Sequence, residues 1–183
     1  MFNEKDKLFT EDSELCPVNY YGKTKQLAEE AVKDSGLDYL ILRTDQPYGR
    51  LETWQKDDNV CRVVKKLQQG AELTEPIDWY NNPTYIEDFV DATARLIKNK
   101  NAGTYNLVGP DFINRYDWAL KIALAFDFKK FVIKPVSSEA FNLPAKRPMA
   151  NLSNEKAQKD ARIKFLSVDS ALEHMKKLRP AQS

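Results

Sequence analysis

Tyr21 and Lys25 stand four residues apart in this sequence. On a helix that spacing puts both side chains on one face, within reach of a common ligand. A tyrosine phenol has an ordinary pKa near 10 and is a poor acid at neutral pH. A neighbouring ammonium favours the phenolate and lowers that value. Such a pair can pass a proton to or from a carbonyl or alcohol oxygen while a nicotinamide transfers hydride. The spacing alone is weak evidence. With 8 tyrosines in the chain, chance supplies roughly one such pair. The plain alternative is a helix with Tyr21 half-buried and Lys25 solvated.

Other chemistries find little here. The cysteines are Cys16 and Cys61, and the one histidine is His174. They form neither a disulfide framework nor a set of metal ligands, so no metal is expected, and no Ser-His-Asp relay. His174 sits in a polar stretch and reads as a surface residue. Lys+Arg total 28 against 27 Asp+Glu, which gives no single-sign field for nucleic acid or a membrane surface. No apolar run approaches the roughly 18 residues that a membrane span requires. Residues 1–7 are too polar for a secretory signal, so a cytoplasmic protein is expected. At 183 residues, 42% hydrophobic and 30% charged, the chain has the balance of one globular domain, or a domain with a lobe.

The elements that must position the pair follow from periodicity. Residues 2–17 are acidic and irregular and read as a surface loop. Residues 19–35 read as a helix, with Tyr21, Ala28 and Val32 on one stripe and Gly36 as the stop. Residues 37–43 form a short apolar run, the pattern of a strand buried on both faces of a parallel sheet, ended by Pro47 and Gly49. Helices follow over 59–69, with Val60, Val63, Val64 and Leu67 inward, and over 88–98, with Val90, Ala94 and Ile97 inward. Residues 84–86 and 104–108 read as strands. Asn114 reads as an N-cap for a helix over 115–126 bearing Trp118, Ile122 and Phe126. A strand over 131–136 and a helix over 168–177, with Ala171, Leu172, Met175 and Leu178 inward, complete the chain. This alternation predicts α/β with a parallel sheet. The chain opens on a loop and a helix, so only the C-terminal half of a Rossmann-type doubly wound sheet is expected, with a small substrate-binding lobe.

The surroundings of Tyr21 carry a resemblance. Pro17-Val18-Asn19-Tyr20-Tyr21-Gly22-Lys23-Thr24-Lys25 with Leu27-Ala28-Glu29 resembles the active-site helix of extended short-chain dehydrogenases/reductases. Leu40-Ile41-Leu42-Arg43-Thr44 with Tyr48-Gly49 resembles that family's strand and nicotinamide-side loop. Pro83-Thr84-Tyr85-Ile86-Glu87-Asp88 and Gly103-Thr104-Tyr105-Asn106-Leu107-Val108-Gly109 resemble its later strands. Lys146-Arg147-Pro148 with Leu152-Ser153-Asn154-Glu155-Lys156 looks like the closing segment of the dTDP-4-dehydrorhamnose reductase branch. The five blocks fall in the family's order and cover nearly the whole chain.

The resemblance implies a single partial domain over 1–183. Residues 1–50 would hold the active-site helix and a sheet strand, and 51–183 mainly the substrate lobe with the remaining core strands. It makes Tyr21 the acid/base and Lys25 its partner, the latter also holding the nicotinamide ribose. It sets Pro47 and Tyr48 beside the nicotinamide and turns Arg147 toward the substrate's nucleotide or phosphate. For Arg147 a surface charge is an equal alternative. For the aromatic stretch 79–85, core packing is favoured over stacking on a base or sugar. The implied cofactor is NADP or NAD and the implied substrate a nucleotide sugar.

The departures are informative. Gly22, Gly36, Gly49, Gly70, Gly103 and Gly109 lie too far apart to form the family's phosphate-binding turn, so the chain alone is not expected to hold the cofactor. The family's catalytic Ser or Thr would lie upstream of this sequence, which begins near the loop just past it. Asp45-Gln46-Pro47 differs from the aromatic loop usual in the rhamnose branch, which leaves the sugar open. Competing expectations are a non-catalytic module like the methionine adenosyltransferase regulatory subunits, and an epimerase or dehydratase fragment, which would use the same tyrosine and lysine. A missing N-terminal half, or self-association, would be the partner.

Overall fold

A computed structural model describes residues 4–49, 55–145, 147 and 149–178. Phe2 and Asn3 of the opening, and Lys146 and Pro148 of the closing segment, lie outside the described residues. The order is β1 (Glu4–Phe9), α1 (Tyr20–Lys33), β2 (Leu40–Arg43), β3 (Pro47–Tyr48), α2 (Asn59–Gln68), β4 (Leu73–Pro76), β5 (Tyr80–Asn81) and β6 (Thr84–Tyr85). It continues with α3 (Ile86–Lys98), β7 (Gly103–Asn106), β8 (Ile113–Asn114), α4 (Arg115–Ala125), β9 (Ile133–Val136), a 3-10 turn (Ser138–Phe141), β10 (Ala150–Leu152), α5 (Glu155–Ala161) and α6 (Val168–Leu178).

The strands pair in twos. Parallel pairs are β1 with β10, β2 with β7, β3 with β6 and β4 with β9, while β5 and β8 are antiparallel. The expected α/β architecture with parallel pairing is what the chain adopts.

Two apolar cores follow from the helix stripes. The larger joins α2 through Val60, Val63, Val64 and Leu67 to Trp118, Ala119 and Ile122 of α4 and to Ala171, Leu172 and Met175 of α6. The smaller joins Ala92 and Leu96 of α3 to Tyr105 and Leu107, to Ala157 and Ala161 of α5, and to Phe165. Asn114 caps α4 as its residue type predicts, its side-chain oxygen accepting from the Asp117 N–H at 2.7 Å.

Four sequence expectations change. The opening loop contains β1, whose charged run Glu4-Lys5-Asp6-Lys7 hides a strand that pairs through its backbone with β10 and buries Phe9. The inward face of α3 is Ala92 and Leu96, with Phe89 packed beside them, whereas Val90, Ala94 and Ile97 are exposed. That helix carries two apolar stripes at helical spacing, and periodicity cannot say which one meets the core. β2 is not buried on both faces. Its Leu40, Ile41 and Leu42 are half-buried, and among the described residues it pairs with β7 alone. The α1 stripe of Tyr21, Ala28 and Val32 is exposed, and the buried positions of α1 are Gly22 and Glu29.

The burial of Glu29 explains what holds α1. Both its carboxylate oxygens accept from Arg43 at the end of β2, Nε to Oε1 at 2.8 Å and Nη2 to Oε2 at 2.7 Å. The side chains are only 8% and 7% exposed. A bidentate guanidinium–carboxylate pair fixes orientation as well as distance. Removing one member of such a buried pair costs about 3–5 kcal/mol, because the other charge stays desolvated. Glu29→Gln is therefore expected to lower the urea midpoint, with α1 amides losing hydrogen-exchange protection ahead of those in α4 and α6. Unchanged protection in α1 would show that the pair does not anchor it.

Candidate functional site

Asn19 starts the helix that carries the proposed acid/base pair, its side-chain oxygen accepting from the Gly22 N–H at 2.8 Å. Tyr21 is 69% exposed, and the Lys25 ammonium lies 5.4 Å from the centroid of its ring. The expected proximity is present, and both groups face open solvent rather than a core.

Pro47 is exposed and lines a cleft of about 310 Å³ together with Gln46, Asp57, Asp58, Asn59, Arg62 and Arg115. Tyr21 and Lys25 are not among its lining residues. The Tyr48 side chain is buried in the larger core, 5.7 Å from the Tyr85 ring and 5.4 Å from that of Trp118. Removal from water pushes its phenol well above the ordinary range. Any part Tyr48 plays at a cofactor must come through its backbone.

Arg147 is exposed, with its guanidinium 5.0 Å from the centroid of the half-buried Trp79 ring. Arg115 approaches the same ring at 5.3 Å. A cation over an indole is held by the ring quadrupole. Trp79 therefore belongs to a guanidinium cluster rather than to the apolar core, contrary to the packing favoured from sequence. Tyr85, in the same stretch, does lie in the core. His174 is exposed, as expected. It reaches the Tyr85 hydroxyl through Nδ1 at 3.1 Å.

The turn between β2 and β3 is built on buried polar contacts that sequence reasoning passed over. Asp45 accepts from the Asn82 N–H at 2.9 Å and from the Asn81 side-chain amide at 3.1 and 3.2 Å. The Thr84 hydroxyl donates to the Asp45 carbonyl at 2.8 Å. Asn82 in turn accepts from the Leu152 N–H at 2.9 Å, which ties β10 to the same turn. Gln46 adopts φ 42°, a left-handed conformation uncommon for a side chain of its size. Its side-chain oxygen accepts from Arg115 Nη1 at 2.9 Å. The departure at Asp45-Gln46 from the usual aromatic loop was the available signal for this region. Among the described residues no group of three or more His, Cys, Asp or Glu could hold a metal, and no helix is long and apolar enough to cross a membrane.

With this geometry the chain can be placed among known proteins. A family model described as the RmlD substrate binding domain matches residues 2–179. The chain belongs to that family. It is 31% identical over 165 residues to the dTDP-4-dehydrorhamnose reductase of Salmonella typhimurium, covering 82% of this chain and 52% of that one. It is 27% identical over 154 residues to the methionine adenosyltransferase 2 subunit beta of Rattus norvegicus, covering 81% and 46%. A dTDP-4-dehydrorhamnose reductase from Bacillus anthracis, solved in complex with NADP, superposes with a TM-score of 0.85 at 24% identity, covering 97% of this chain and 62% of that one. The chain thus spans about half the length of the curated relatives it matches. Within those longer proteins it corresponds to the RmlD substrate binding domain.

The Asp45 environment sets a pH dependence. Removal from water raises its carboxyl from 3.8 to about 6, against the lowering effects of the Asn82 N–H, the Asn81 amide and Arg115. The folded chain keeps a proton there that the unfolded chain releases. This contribution to stability is full below about pH 4 and is lost as pH rises through about 6. Urea unfolding across that range is expected to show wild type losing stability relative to Asp45→Asn, with a constant difference at higher pH. Parallel curves would show that Asp45 titrates normally.

Proposed function

We propose that this chain is the substrate-binding and acid/base part of an NAD(P)-dependent sugar-nucleotide oxidoreductase, completed by a nucleotide-binding segment. The observation that carries the reading is the Tyr21–Lys25 pair, held together and exposed on a helix whose apolar stripe also faces outward.

A nicotinamide fits this chain at one end only. Tyr21 and Lys25 are suited to the ring and its ribose, and Pro47, exposed at the cleft, is the residue that the family resemblance sets beside the nicotinamide. The described residues offer no glycine-rich turn at a helix N-terminus for the pyrophosphate. When bound, the nicotinamide supplies or accepts the hydride at the sugar's carbonyl carbon. For ketone reduction Tyr21 donates its phenolic proton to the substrate oxygen, and Lys25 stabilises the phenolate that remains. The reverse transfer serves alcohol oxidation, so an epimerase or dehydratase remains compatible with the same residues. Arg147 and Trp79 are suited to the substrate's nucleotide end, the guanidinium to phosphate and the indole to stacking. A cytoplasmic setting suits the free thiols of Cys16 and Cys61.

A second reading is a binding module without catalysis. The relative named methionine adenosyltransferase 2 subunit beta favours it, as do the exposed apolar residues Tyr20, Leu27 and Val32 of α1, with Leu37 just after it. In either reading that surface takes a partner, a nucleotide-binding half or a second copy of the chain.

Two experiments test the proposal, the second of which separates these readings. Titration of the isolated chain into NADPH, followed by fluorescence, is expected to give no saturable binding, and low-micromolar affinity would overturn the need for a completing segment. With a nucleotide-binding segment supplied in trans or fused, Tyr21→Phe is expected to lower turnover about 10²–10⁴-fold and leave substrate affinity nearly unchanged. A reconstituted protein indifferent to that substitution would sink the catalytic reading and leave the binding module.

A further inference from the structure

Among the described residues, the cleft beside Pro47 holds hydrogen-bond donors without acceptors. Most of its charges are already committed. Asp57 accepts from Lys65 Nζ at 2.6 Å. Asp58 accepts from the Gly49 N–H at 2.9 Å and the Cys61 N–H at 2.7 Å. Arg62 donates through Nη2 to the buried Glu75 and to Asn59 Oδ1, the latter at 2.8 Å.

Arg115 differs. Its side chain is 12% exposed, and its Nη1 bonds the neutral oxygen of Gln46 at 2.9 Å. Its Nε is buried without a hydrogen-bond partner, the nearest carboxylate oxygen being Glu75 Oε2 at 4.0 Å. Burial above all, with the neighbouring charges of Arg62 and Arg147, draws its pKa down to about 10, against the opposing effect of Glu75 and Asp45. Asn59 lines the same cleft, is buried, and leaves its Nδ2 unpartnered. A desolvated guanidinium beside an unpaired amide donor is costly unless an acceptor arrives. Folded proteins leave few such groups without a reason. The left-handed backbone of Gln46 is a second departure at the same place, at the residue whose side chain meets Arg115.

We propose that this cleft is an oxyanion subsite in which Arg115 is the recognising cation and Asn59 a supporting donor, so that the ligand presents a carboxylate or a phosphate to it. Its assignment to the substrate rests on the nucleotide-sugar reading above. A carboxylate would come from an acidic sugar and a phosphate from the nucleotide linkage. A carboxylate source makes the substrate a nucleotide-linked uronate rather than a neutral deoxyhexose.

The test uses the full 183-residue chain, labelled with ¹⁵N-arginine, and follows the Nε–H resonances. Probes are glucuronate, inorganic pyrophosphate and glucose, against sodium chloride at matched ionic strength. The Arg115 signal is expected to shift saturably with glucuronate, pyrophosphate or both, and to ignore glucose and chloride. Glucuronate alone identifies the sugar carboxylate as the source, pyrophosphate alone the phosphate. Arg115→Gln, which removes that reporter and is therefore followed by isothermal titration calorimetry with the same probes, is expected to weaken binding about tenfold or more, as for loss of a charge-assisted hydrogen bond. Arg95→Gln, which removes a surface charge paired with Asp91, leaves it unchanged. If Arg115→Gln does not fold, Arg115→Lys keeps the charge, loses the fork, and is expected to bind more weakly than wild type. No shift at Arg115 with either oxyanion, or an equal shift with chloride, would overturn the subsite. Tyr21→Phe leaves this titration unaltered, so the subsite and the catalytic reading stand or fall separately.

Discussion

The bidentate contact between Glu29 and Arg43 is the constraint on which the acid/base pair depends. It links the middle of α1 to the end of β2, and β2 is hydrogen-bonded along its length to β7. Most helices of this fold are seated by apolar stripes pressed into a core. α1 buries a glycine and a carboxylate instead. An apolar contact tolerates sliding, whereas a two-point charged contact at hydrogen-bonding distance fixes both the rotation and the height of a helix. Arg43 also donates to the Glu11 carbonyl at 3.4 Å, and the Glu11 side chain accepts from the Asn106 N–H at 2.8 Å. The opening segment is thereby tied to the ends of the same two strands.

A second polar unit complements the first. Asp45, Asn82 and Thr84 join the β2–β3 turn to the approach of β6 and to β10. Backbone packing is tight nearby: a Cβ on Gly109 would sit 2.0 Å from the Pro83 carbonyl oxygen, so only glycine fits there. The turn that presents Gln46 and Pro47 to the cleft is therefore held from beneath by side-chain hydrogen bonds. Its rim is set by Asp58, whose carboxylate reaches Gly49 while capping α2.

Much of this was legible in the sequence, and the parts that were not share a cause. The helices α2, α4 and α6 were readable because each carries one apolar stripe, and α1 because of the spacing of Tyr21, Ala28 and Val32 and the stop at Gly36, although that stripe faces outward. The parallel strands β2 and β7 were readable as short apolar runs. β1 was missed because charges at Glu4 to Lys7 mask a strand stabilised through its backbone. α3 was turned over because Val90, Ala94 and Ile97 compete with Ala92 and Leu96 for the inward face. Arg115 was passed over, and Asp45 was noticed only as a departure from the usual loop, because a lone charged residue gives no periodic signal. Their significance comes from burial, which only the folded arrangement of distant segments creates. The contact of Arg147 with Trp79 had no signal in the sequence either, since the two stand far apart along the chain.

The parallel pairing of β1 with β10 also bears on how the chain reaches this structure. Register sets Glu4 against Ala150 and Phe9 against Leu152, nearly the full length of the described chain apart. The loop that must close before those bonds form is long, so topology assigns their formation to a late stage of folding. The interior helices α2, α3 and α4 are synthesised before β10 exists. In a nascent chain β1 therefore cannot make these bonds until residues 150–152 have emerged. The charged residues that conceal β1 from pattern reading are of the kind that discourages a waiting strand edge from pairing with a neighbouring chain.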